Sequence, residues 1–81
     1  MSKNTVSEAE MRTMLSMNLR YLRKSRTPAL SQKSLERILQ LPAQTIKNYE
    51  SEKSSPSAVV LFRVASYFGC TVEDLLTKKL F

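Results

Sequence analysis

The stretch from Leu30 to Ser57, LSQKSLERILQLPAQTIKNYESEKSSPS, constrains this chain more than any other, because its punctuation admits only short helices joined by tight connections. Ser31 is a strong N-cap, its hydroxyl able to take a free N–H of a helix from Gln32 to about Leu39. Gln40-Leu41 makes the turn. Pro42 suits the first position of the next helix, where its missing N–H goes unneeded, so that helix is expected over about 42–50. It packs inward by Ile46 and Tyr49. Its opposite side then carries Gln44, Lys47, Asn48 and Ser51 at the i, i+3, i+4, i+7 spacing of one helical face. Amides and one cation in a row are complementary to base edges in a DNA major groove.

The flanking segments continue the pattern. Met1 to Val6 are polar and uncapped and are expected to form a mobile arm. Ser7 and Glu10 make a capping box for a first helix that runs to about Ser25, with Met11, Met14, Leu15, Leu19 and Leu22 as its buried stripe. Thr27-Pro28 ends that helix, since proline pushes the residue before it out of the α region. The second helix is expected to bury Leu35, Ile38 and Leu39. Ser57 caps a fourth helix that stops at Gly69 and turns Ala58, Leu61, Val64, Ala65 and Phe68 inward, and Thr71 caps a short fifth helix containing Leu75 and Leu76. No strand pattern or internal repeat interrupts the series. The expected fold is all-α, a single compact five-helix domain over residues 7–81.

Composition narrows the chemistry. At 81 residues the chain makes one small domain, and 42% hydrophobic against 25% charged residues is the balance of a folded protein. Between Arg12 and Lys53 lie nine Lys and Arg against three Glu, which by itself gives the net charge of +6. A basic centre fits a polyanion partner; on charge alone a merely solubilising surface fits equally. There is no histidine, and Cys70, Asp74 and Gly69 are each the only residue of their kind. That leaves no zinc-ligand set, no Cys-His nucleophile and no glycine-rich phosphate loop, so catalytic residues, metal and cofactor are all expected to be lacking. No apolar run reaches the roughly 20 residues of a membrane span, no signal-peptide core opens the chain, and a single cysteine fits a reducing compartment, so a soluble cytoplasmic protein is expected.

The run Leu19-Arg20 to Leu22-Arg23, Leu30-Ser31-Gln32, Leu35, Leu39, Thr45-Ile46, Glu50, Lys53, Pro56-Ser57, Ala65, Gly69 and Leu75-Leu76 together resemble the phage-repressor and Cro type of helix-turn-helix regulators, also called XRE-like, over about Leu19 to Leu76. The resemblance implies a lambda-repressor-like DNA-binding domain. It implies that Gln32 binds a phosphate with help from helix amides, that Ala43, Gln44, Lys47 and Asn48 read bases, and that Arg23 and Glu50 form a buried ion pair. Arg20, Lys33, Ser51 and Lys53 are further candidates for phosphate contact, although Arg20, Arg26, Lys33 and Lys53 also fit plain solubilising charge. For Gln44 and Asn48 the competing reading is a solvated helix surface. Four features depart from the family pattern: large residues at Glu36 and Gln40, where a small residue and a glycine are usual; Pro42 in place of a Ser or Thr cap; and a longer connection at Arg26 to Ala29.

Taken together, these residues imply a sequence-specific double-stranded DNA-binding transcriptional regulator with no small-molecule ligand, its sign of regulation left open. On the fourth helix Val59, Arg63, Ser66 and Tyr67 fall opposite the core with Val60 beside them. Val59, Val60 and Tyr67 are therefore expected to form a homodimer interface that pairs two domains on a palindromic operator. Leu80 and Phe81 either extend that patch or cap the core. A chain of this length leaves no room for an effector domain, so control is expected through abundance, partners or dimerisation. The alternative is a protein-interaction module, antitoxin-like or an assembly subunit, that uses the same fold without reading DNA.

Overall fold

Serine and threonine hydroxyls open four of the five helices in the computed structural model, which describes residues 6–81. The helices are α1 (Glu8–Lys24), α2 (Gln32–Leu39), α3 (Thr45–Glu50), α4 (Ala58–Phe68) and α5 (Val72–Thr77). Ser7, Ser31, Ser57 and Thr71 each accept an N–H of their helix's first turn, and at Ser7 and Thr71 an acidic side chain returns the bond as a capping box. The expected arm lies, apart from Val6, outside the described residues. No strand occurs among the described residues, and none of their helices is long and apolar enough to cross a membrane.

Every helix contributes to one core. Leu15 and Leu19 of α1, Leu35 and Leu39 of α2, Ile46 and Tyr49 of α3, Val64 and Ala65 of α4, and Leu75 of α5 are all buried together. Burying each of the larger side chains is worth about 1.5–3 kcal/mol, which is what offsets the ordering of helices too short to persist alone. α1 is the spine, packed on α3 and α5, while α2 packs on α3 and α4 on α5. Asn18 ties the far end: its amide donates to the Leu75 and Lys78 carbonyls at 2.9 and 2.6 Å, and its oxygen accepts the Leu80 N–H at 3.0 Å. Leu80 is thereby held against the core, whereas Phe81 lies on α1 with its ring tilted against Tyr21.

Three helices close in the same way, with a left-handed residue after the last turn and a bond from the following N–H back to the carbonyl five residues earlier. At α4 this residue is Gly69, with Cys70 N–H donating to Ala65. At α2 and α3 it is Gln40 (φ 56°) and Glu52 (φ 64°), with Leu41 donating to Glu36 and Lys53 to Asn48. A Cβ in the left-handed region costs about 1–2 kcal/mol, so the α2–α3 turn is strained at Gln40.

The structure corrects three expectations. α3 starts at Thr45 and not at Pro42: Pro42 O accepts the Thr45 N–H at 3.3 Å, and Gln44 stands at φ 74°, ψ −2°, the third residue of a type II turn. That left-handed residue breaks any right-handed helix running through it. Ile38 is 46% exposed, because α2 turns Glu36 inward beside Leu35 and Leu39, and this rotates Ile38 to the rim. Ala58 is exposed, since the first turn of α4 overhangs the core and burial begins at Val60 and Leu61. Met11, Met14 and Leu22 are half-buried.

Because the strain at Gln40 exceeds the chain entropy that glycine adds to the unfolded state, Gln40→Gly is expected to stabilise the domain by about 0.5–1 kcal/mol in chemical denaturation. An unchanged or lowered stability would show that the turn carries no such strain.

Candidate nucleic-acid interface

The end of α3 is anchored by a carboxylate taken almost wholly out of water. The Glu50 side chain is 1% exposed, and Arg23 grips it as a fork, Nε to Oε2 and Nη2 to Oε1, both at 2.8 Å. The third guanidinium nitrogen of Arg23 donates to the Leu30 carbonyl at 2.9 Å, which pins the α1–α2 connection. Gln32, first residue of α2, donates its Nε2 to Glu50 Oε1 at 2.9 Å, and Arg20 reaches the same oxygen at 3.5 Å with its side chain 54% exposed. Burial alone pushes the Glu50 carboxyl up. The Arg23 fork, the Gln32 amide and Arg20 outweigh it and hold the carboxyl below its ordinary value.

This cluster joins α1, the start of α2 and the end of α3 through one group. The adjoining surface is a shallow cleft lined by Gln32, Lys33, Ala43, Gln44 and Lys47, with Glu36 among its walls. Five of the residues expected to meet DNA therefore share one face of the molecule. Ala43 and Gln44 reach it from the turn and not from the helix, Gln44 standing at the N-cap position. Lys47 is exposed on α3 and Asn48 half-exposed. Ser51 is the C-cap of α3, its hydroxyl donating to the Asn48 carbonyl at 3.3 Å, and exposed Lys53 follows one residue after the left-handed Glu52. Among the described residues no salt bridge engages Lys33, Lys47 or Lys53. Glu36, Glu50 and Glu52 lie among these three cations and the half-exposed Arg20, but Glu50 is largely neutralised by Arg23 and Glu36 is buried against the Ile46 N–H, so the exposed charge is mainly positive and the surface favours anions.

Arg26 lies elsewhere: it donates to the Tyr67 carbonyl at 3.0 Å, and its guanidinium sits 5.0 Å over the Tyr67 ring and 5.1 Å over Phe68. Tyr67 is thus partly occupied within the chain, and Val60 is half-buried. Val59 is 71% exposed, and it shares the open side of α4 with Phe62 at 64%, a residue the sequence analysis passed over although its i+3 spacing from Val59 places it on that face. Arg63 donates to the Leu39 carbonyl and links α4 to the end of α2.

Sequence reasoning also gave Glu36 no role, noting only its size. The available signal was a charged residue in register with Leu35 and Leu39, on a helix followed by one that lacks a serine or threonine cap.

Removing one side of the buried pair leaves the other as an uncompensated charge. Arg23→Ala is expected to cost about 3–5 kcal/mol in chemical denaturation, with Arg23→Ala/Glu50→Ala costing less than the sum of the single changes. A coupling near zero would show that the pair does not act as a unit. Because the folded carboxyl is held below its ordinary value, its contribution is full above the unfolded pKa and lost as pH falls through the folded one. Glu50→Gln should accordingly flatten the acid limb of the stability curve.

A family described as helix-turn-helix has a model that matches residues 19–75 of the chain. No curated protein and no solved structure matches it significantly.

Proposed function

The chain belongs to the XRE-like helix-turn-helix regulator family, and from that premise we propose that it recognises one double-stranded DNA sequence through the turn and the outer side of α3, as a two-fold dimer on a palindromic operator. The observation that carries the proposal is the shared carboxylate. Gln32 and Arg23 meet on Glu50, so a contact made at the start of α2 fixes the position of α3 without an intervening flexible element.

The roles divide by reach. A helix of six residues is about 9 Å long and fits end-on in a major groove about 12 Å wide. Lys47 and Asn48 from the helix, with Ala43 and Gln44 from the turn, meet base edges; the Asn48 amide suits adenine, and Lys47 suits guanine or a phosphate. One Nε2 hydrogen of Gln32 is taken by Glu50, and its second remains for a phosphate oxygen at the N-terminus of α2. Arg20, Lys33, Ser51 and Lys53 hold neighbouring phosphates and set the register. A single domain reads too few base pairs for high specificity. Pairing through Val59, Val60 and Tyr67, with Phe62 added to the patch, presents two copies of α3 to grooves about 34 Å apart.

Two titrations test the assignment. Affinity should fall steeply with salt, since every neutralised phosphate releases counterions, and Gln32→Ala and Lys53→Ala should weaken all duplexes alike. Gln44→Ala or Asn48→Ala should cost about 1–3 kcal/mol on the preferred duplex only. A flat salt response, or equal losses on preferred and random DNA for all four variants, would contradict it.

A further inference from the structure

DNA reading as set out above leaves one buried charge beside the cleft without a role. Glu36 is 7% exposed, and its Oε2 accepts the Ile46 N–H at 2.8 Å, across from α2 to the first turn of α3. α3 has no cap of its own. Gln44, at the N-cap position, is left-handed and makes no side-chain bond to the helix, and Pro42 has no hydroxyl to offer. The Thr45 N–H goes to Pro42 and the Asn48 N–H to Gln44, so the buried Ile46 N–H depends on Glu36. A six-residue helix does not sustain itself in water, and its first turn is where it frays.

We infer that Glu36 is a positioning residue for the DNA-reading helix, an N-cap supplied by the neighbouring helix that fixes where α3 begins and how Lys47 and Asn48 are presented. The inference rests on the DNA reading proposed above. A carboxylate is a stronger acceptor than a serine hydroxyl, and its charge is favourable at a helix N-terminus. The acid at Glu36 therefore supplies, from across the turn, the acceptor that the residue at the N-cap position does not. Fraying of α3 would lower the fraction of protein competent to read bases while leaving the exposed lysines free to hold phosphates.

The test combines amide hydrogen exchange with binding to a selected and a random duplex. In Glu36→Ala the Ile46 amide should exchange about fivefold faster or more, and the preference for the selected duplex should fall by about fivefold, the loss expected from removing one cap. Random-duplex affinity should not change. A general loss of stability would lower both affinities together, so the ratio separates positioning from mere structure. Glu36→Gln keeps an oxygen acceptor of the same reach and should hold both readouts within about twofold of the parent. An unchanged Ile46 amide and an unchanged ratio in Glu36→Ala would overturn the assignment. Should that variant fail to fold, an Ile46 amide that exchanges in the parent protein at the rate of an unprotected amide would overturn it instead. If the parent protein prefers no duplex, the DNA reading fails, and the Ile46 exchange contrast still decides whether Glu36 caps α3.

Discussion

The Glu50 carboxylate is the constraint on which the rest of the interface depends. It is buried at the one place where α1, the start of α2 and the end of α3 converge, and a buried charge is tolerated only if its geometry is satisfied. Arg23 satisfies it with a fork and turns its third nitrogen to the Leu30 carbonyl, while Gln32 and, at 3.5 Å, Arg20 donate to Oε1 as well. Each of these bonds crosses between elements. Shifting α3 by even one residue would strand the carboxylate, so electrostatics select one arrangement where hydrophobic packing alone tolerates several.

With its C-terminal end held in this way, α3 needs only its start defined. Six residues contribute little helix stability, and the two residues that face the core, Ile46 and Tyr49, fix its rotation but not its beginning. A type II turn through Gln44 and the Glu36 bond to Ile46 supply the beginning, and the left-handed Glu52 supplies the stop. The helix that carries Lys47 and Asn48 is thus shaped by neighbours at both ends. Such preorganisation is what a reading surface requires, since side chains displaced by about 1 Å lose their bidentate contacts.

Much of the fold was legible because its signals are local. Ser7, Ser31, Ser57 and Thr71 act within three residues of themselves, and Gly69 ends α4 by its own backbone freedom, so helix order and most boundaries follow from neighbouring residues. What was not legible is what tertiary contact decides. Pro42 is a good first helical residue, but Gln44 turns left-handed and Glu36 takes the Ile46 N–H, so the helix starts later. Ile38 reads as core until Glu36 takes the inward position. Asn18 has no role in the sequence pattern, since its acceptors lie 57 and 60 residues further on. The polar face chosen by spacing mixes two environments, because Gln44 and Ser51 occupy the two cap positions and only Lys47 and Asn48 lie within the helix.

The central claim is that this preorganised surface reads one DNA sequence. The most direct measurement is selection from a random duplex library at fixed, stated salt, followed by sequencing of the bound pool. Enrichment of a single motif made of two inverted half-sites, centres about 10–10.5 base pairs apart, is the predicted result. A bound pool with the composition of the input would contradict it, because binding would then rest on phosphates alone.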